Sequence, residues 1–200
     1  MRFLIGMLLL SVSLVPLAGE PITKDDREFA QSALQASRKQ FLDSVDGVSE
    51  AQWSFKPGPD KWSIAEVAEH IVLSEGLIFQ AVQGALQSPA REKMPDARAM
   101  DEKIMAGVPD RTNKFKAPEQ LVPHGQFKTS AAAAEAFKAA RDPHIQYVGE
   151  TQDPLREHFL KHPILGDMDA YQWILLMAAH TERHVNQILE VKASPGYPKQ

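Results

Sequence analysis

Apolar residues recur three and four positions apart in four stretches of the chain, whereas the alternation expected of a half-buried strand is weak everywhere. The first stretch opens at Thr23, whose hydroxyl can cap a helix with Asp26 three residues on. It carries Ala30, Leu34, Phe41 and Val45 and ends at Asp46-Gly47. Residues Val48 to Trp62 are rich in proline and glycine and predict a loop, anchored on the bundle by Trp53, Phe55 and Trp62. The second helix is predicted from Ser63, where Ser-Ile-Ala-Glu forms a capping box with Glu66. It continues through Val67, His70, Ile71, Ser74, Leu77, Ile78 and Val82 toward Ser88-Pro89.

From Pro89 to Pro123 the chain is polar and broken by Pro95, Pro109 and Pro118, which predicts a long crossover holding at most a short helix near Ala97 to Met105. Connections of that length are uncommon unless they serve a purpose such as covering a site. A third helix is expected from about Ser130 through Phe137 to Val148, with an irregularity at Pro143, where a backbone donor is missing. The fourth begins near Asp169 and runs from Tyr171 to Val191. Its first half is apolar on all sides, so it should be the most buried. Four helices with one long crossover between the second and third predict an all-α fold, a four-helix bundle.

The N-terminus adds a leader. Arg2 precedes an apolar run from Phe3 to Leu17, followed by Ala18-Gly19, the pattern of a secretory signal peptide over residues 1–19, with a single helical domain over residues 20–200. That run is shorter than the roughly 20 residues of a membrane-spanning helix, so no stable span is expected once the leader is removed. The expected location is therefore outside the cytoplasm, periplasmic or secreted. The chain has no cysteine, which excludes a disulfide framework and thiolate metal sites and leaves His, Asp and Glu as ligands. The formal net charge is -4 and the basic residues are scattered, so no nucleic-acid partner is expected.

His180 and His184 lie one turn apart on the face of the last helix that also carries Trp173, Met177, Gln187 and Val191. They point inward with core residues, where neutral imidazoles without partners are costly. His70 shares the face of Val67, Ser74 and Leu77 on the second helix and also points inward. Three inward histidines from two helices can hold a divalent ion with an open position. Imidazole nitrogen suits zinc, nickel, iron and copper. An i, i+4 pair alone is a weak signal, and the His-Glu-x-x-His motif is absent because Thr181 follows His180. Glu182 lies about 200° around the helix from His180 and is expected to face solvent. His158 and His162 are read as surface or core residues rather than a rim over the site, and His124 and His144 receive no role. The tryptophans are read as anchors, Arg183 as one half of a surface salt bridge, and Glu66 as a cap that could also touch the shell around the site.

The stretch Trp53-Ser-Phe-Lys-Pro-Gly-Pro-Asp-Lys-Trp-Ser-Ile-Ala-Glu-Val-Ala-Glu-His70, followed downstream by Tyr171-Gln-Trp-Ile-Leu-Leu-Met-Ala-Ala-His180-Thr-Glu-Arg-His184, resembles the DinB-like superfamily. The resemblance covers most of the chain beyond the leader. It implies an up-up-down-down bundle, often dimeric, with a metal held by His70, His180 and His184. Zinc or nickel is implied most often, with iron or manganese as further choices. Members include thiol-dependent S-transferases and isomerases, but a leader would separate this chain from the cytoplasmic thiol pool. Two readings follow. One is a metal-dependent enzyme, a hydrolase or thiol-dependent transferase acting on an unidentified small molecule; the other is a bundle that binds metal or ligand without turnover. For the leader, N-terminal sequencing of the exported form should find a start next to Ala18 or Gly19, and an intact Met1 would contradict cleavage.

Overall fold

A computed structural model describes residues 19–199, so the expected leader lies, but for Gly19, outside the described residues. The elements are α1 (Lys24–Val45), α2 (Glu50–Ser54), α3 (Ile64–Leu86), α4 (Ala97–Gly107), a 3-10 turn (Glu119–Leu121), α5 (Ser130–Glu150), β1 (Phe159–His162), β2 (Gly166–Asp169) and α6 (Ala170–Lys192). Each bundle helix starts on a side-chain cap. Thr23 accepts from the Asp26 amide and Thr129 from that of Ala132. Ser63 with Glu66, and Asp169 with Gln172, close full capping boxes.

The long helices α1, α3, α5 and α6 form the bundle, and α4 lies against α6. Their directions follow from pairs of side chains. Arg27 reaches the Val148 carbonyl and Arg38 reaches Asp142, so α1 and α5 are antiparallel. Arg141 meets Glu75 while His144 stacks on Phe79, so α3 and α5 are parallel. His70 meets His184 while Glu75 approaches Thr181, so α3 and α6 are antiparallel. The order is therefore up-down-down-up, which corrects the expected up-up-down-down. The links follow the same order: the shorter ones, α1 to α3 and α5 to α6, join antiparallel helices that sit diagonally across the bundle. Only the long crossover joins parallel helices, because it must travel back along α3, whose 23 residues span about 35 Å.

Three further expectations change. The stretch read as loop contains α2, capped reciprocally by Ser49 and Gln52. Ser-x-x-Gln is itself a capping signature, masked by the prolines and glycines downstream. Helix α5 continues unbroken through Pro143. An antiparallel hairpin pairs Phe159 with Asp169 through His162 with Gly166. Its strands of four residues are too short to show an alternating pattern, and the turn depends on Gly166 at φ +84, a conformation open to glycine. Among the described residues no helix is long and apolar enough to cross a membrane.

The core is in two parts. One gathers Ala30 and Leu34 with Val82 and the first turns of α6; the other gathers Phe41, Val67, Ile71, Phe137 and Ile188. A polar layer sits in the bundle interior, where the fully buried Arg141 donates to both oxygens of buried Glu75, at 2.8 and 2.6 Å, and to Ser37, Thr181 and the Leu34 carbonyl. The Glu75 carboxyl is held below its ordinary range; burial opposes ionisation, but the adjoining guanidinium outweighs it. Removing one partner strands the other in low dielectric. Arg141→Met should therefore cost about 3–5 kcal/mol in urea unfolding, and the double change Glu75→Leu with Arg141→Met should recover most of that loss.

Candidate metal centre

His70 stands in the second turn of α3, behind the Ser63 capping box that sets the helix start. His180 and His184 stand on successive turns of the most buried helix. The antiparallel crossing of α3 and α6 brings all three rings together, with one ligand nitrogen from each within 4.8 Å of the others. Ring centroids lie 4.3 Å apart for His70 and His184, 4.4 Å for His180 and His184, and 5.1 Å for His70 and His180. His70 and His184 are buried and His180 is half-buried.

Hydrogen bonding determines which nitrogens are free. His70 Nδ1 lies 2.9 Å from the Leu121 carbonyl oxygen, and His184 Nδ1 lies 2.9 Å from Gln187 Oε1. Both partners are acceptors, so each neutral ring carries its single proton on Nδ1. The two Nε2 atoms then face each other at 3.1 Å, lone pair to lone pair. Burial lowers the pKa of all three rings, and for His180 and His184 mutual repulsion of protonated neighbours adds to it, so protonation does not relieve the contact at neutral pH. A cation between the nitrogens does. Two imidazoles on one tetrahedral zinc place their nitrogens about 3.3 Å apart. The donor set thus fits a divalent ion, and Leu121 and Gln187 stand where outer partners would orient ligating histidines.

The surroundings differ from several expectations. Trp62 is more than a loop anchor, because its ring lies 5.1 Å from that of His70 and walls one side of the cluster. Trp53 and Trp173 do act as anchors, donating to the carbonyls of Phe127 and Leu160. Among the described residues Arg183 makes no salt bridge; it is buried and donates to the carbonyls of Val108, Asp110 and Asn113 in the crossover. Glu66 caps α3 and pairs with Lys56 at 2.8 Å. His158 is buried in the run before β1, with Nδ1 on the Ser88 carbonyl, and His162 caps the hairpin turn by accepting from Ile164 and Leu165. His144 stacks on Phe79, and His124 lies 3.2 Å from Glu69.

Two residues near the cluster escaped the sequence reading. Glu69, next to His70 and buried, accepts from the amides of His124, Gly125 and Gln126, each at 2.9 Å, and so fixes the segment just past Leu121. Nothing in sequence links a helical glutamate to a loop that far downstream. The spacing puts Gln187 on the inward face of α6 but gives it no role. A polar amide among core positions, one turn beyond His184, was the available signal.

A model of the DinB superfamily matches residues 33–188. YuaE of Bacillus subtilis (strain 168) is 26% identical over 163 residues, covering 80% of this chain and 96% of its own length. Among solved structures, YfiT from Bacillus subtilis superposes with a TM-score of 0.57 at 13% identity, covering 88% of this chain and 91% of its own. That structure is described as a probable metal-dependent hydrolase with an unusual four-helix bundle topology.

The depressed histidine pKa values carry a stability consequence. Below about pH 6.5 the unfolded chain takes up protons that the folded rings refuse, so stability is lost as pH falls. In chelator-treated protein the thermal midpoint should drop from pH 6.5 to 5, and less steeply in His180→Gln/His184→Gln. Asp169, pushed up to about 6 by burial, acts in the opposite sense in both proteins, so the difference isolates the histidines.

Proposed function

The chain belongs to the DinB superfamily, and from that premise we propose that it is a metal-dependent hydrolase whose one divalent ion is held by His70, His180 and His184. The observation that carries this reading is the pair of Nε2 atoms facing each other at 3.1 Å while both Nδ1 atoms meet acceptor oxygens, an arrangement that a cation between them satisfies. The description of YfiT as a probable metal-dependent hydrolase supports hydrolysis over thiol transfer. Zinc or nickel suits three imidazoles best, with iron or manganese as further occupants. Export is part of the same reading and rests on the leader composition of residues 1–19.

When bound, the ion supplies Lewis acidity and lowers the pKa of a coordinated water toward neutrality. The residues of the chain prepare for that chemistry. The Leu121 carbonyl and Gln187 Oε1 hold two rings with Nε2 bare and aimed inward. Burial keeps the rings neutral, the form that ligates. Trp62 closes one side of the cluster.

Metal analysis after loading with zinc, nickel or manganese should find about one equivalent in the wild type and far less in His184→Ala. With free metal at a hundred times its dissociation constant, unfolding stability should rise by about 2.7 kcal/mol in the wild type alone. Equal stabilisation of the variant would show that the ion sits elsewhere. Against a panel of nitrophenyl esters, the loaded protein should turn over without added thiol and lose that activity on chelation; a strict thiol requirement would favour transfer instead.

A further inference from the structure

Gln187 can present either face of its amide to His184, and the two faces have opposite consequences. With Oε1 toward the ring, His184 must carry its proton on Nδ1 and leaves Nε2 bare. With the amide nitrogen toward the ring, the amide donates to Nδ1 and the proton moves to Nε2, which then cannot ligate. The choice is made outside the site. Arg111, just beyond α4 in the crossover, donates from Nη1 to Gln187 Oε1 at 3.1 Å, while its Nε and Nη2 grip the two oxygens of Glu190 at 2.7 and 3.0 Å. A guanidinium has donors only, so it donates to the amide oxygen and has no bond to offer the amide nitrogen. Glu190 fixes the guanidinium plane, and Arg183 holds the backbone on both sides of Arg111 through the carbonyls of Val108, Asp110 and Asn113.

The geometry points to Arg111 as a positioning residue that sets the tautomer of His184 through Gln187, so that the crossover determines whether the histidine cluster is ready to take a metal. This rests on the three-histidine reading, but the tautomer can be observed with no metal present. It also gives the long crossover a defined task beyond covering the site.

Nitrogen-15 NMR of the metal-free protein should show His184 with a protonated Nδ1 and a bare Nε2. Arg111→Met should shift the ring toward protonated Nε2 and weaken zinc binding by about 10–100-fold, the range for losing an outer partner of a ligating histidine. Arg111→Lys, which keeps a donor, should recover much of both. The decisive background is Gln187→Glu, because a carboxylate offers an acceptor whichever way it turns. There, adding Arg111→Met should leave the His184 tautomer on Nδ1 and cause no further loss of zinc affinity. An unchanged tautomer in Arg111→Met, or an equal loss in the Gln187→Glu background, would overturn the inference. If the tautomer responds as expected while the wild type fails to bind zinc, the metal reading fails and the control of the ring by Arg111 stands.

Discussion

Helices α3 and α5 run parallel, and that constraint obliges the chain to return along the whole bundle before α5 can begin. The return passes over the C-terminal half of α6, and both outer partners of the cluster depend on it. Leu121, whose carbonyl orients His70, belongs to the crossover itself; Gln187, which orients His184, is gripped by Arg111 from the crossover. A bundle with only short links would have left these nitrogens to water. The cost of ordering so long a segment is offset by charges committed to its backbone: Glu69 takes three amides and Arg183 three carbonyls.

Such pairings also keep the site electrically simple. Glu69 is buried next to His70, yet its oxygens are occupied by backbone donors rather than turned toward the cluster. Glu75 is occupied by Arg141. What remains facing inward is a set of three imidazoles that are hard to protonate, a donor set suited to borderline-soft divalent ions rather than to calcium or magnesium, which take oxygen ligands.

Most of the bundle was legible because helix signals are local. The Thr23 cap, the Ser63 capping box and the apolar run of α6 each lie within a few residues, and the three histidines could be assigned to inward faces by the 100° rule. Helix direction was less legible, because it is carried by contacts such as Arg38 with Asp142 and Arg141 with Glu75, between residues far apart in the chain. The hairpin was illegible because its pairing is a backbone matter over four residues a strand. Leu121, Glu69 and Arg111 were beyond reach because their parts in the site are contacts between segments distant in the chain, and a carbonyl oxygen has no letter in a sequence.

The buried pair of Glu75 and Arg141 has a geometric meaning as well as an energetic one. Apolar helix faces tolerate sliding, since one leucine fits a groove nearly as well as the next. A two-toothed contact between a guanidinium and a carboxylate does not, and with Thr181 also engaged it ties α3, α5 and α6 at a single height. A slip of α3 by one turn, about 5.4 Å, would carry His70 out of reach of His184. The charged layer thus works as an index mark for the bundle, and the alignment of three nitrogens elsewhere on the same helices is read from it.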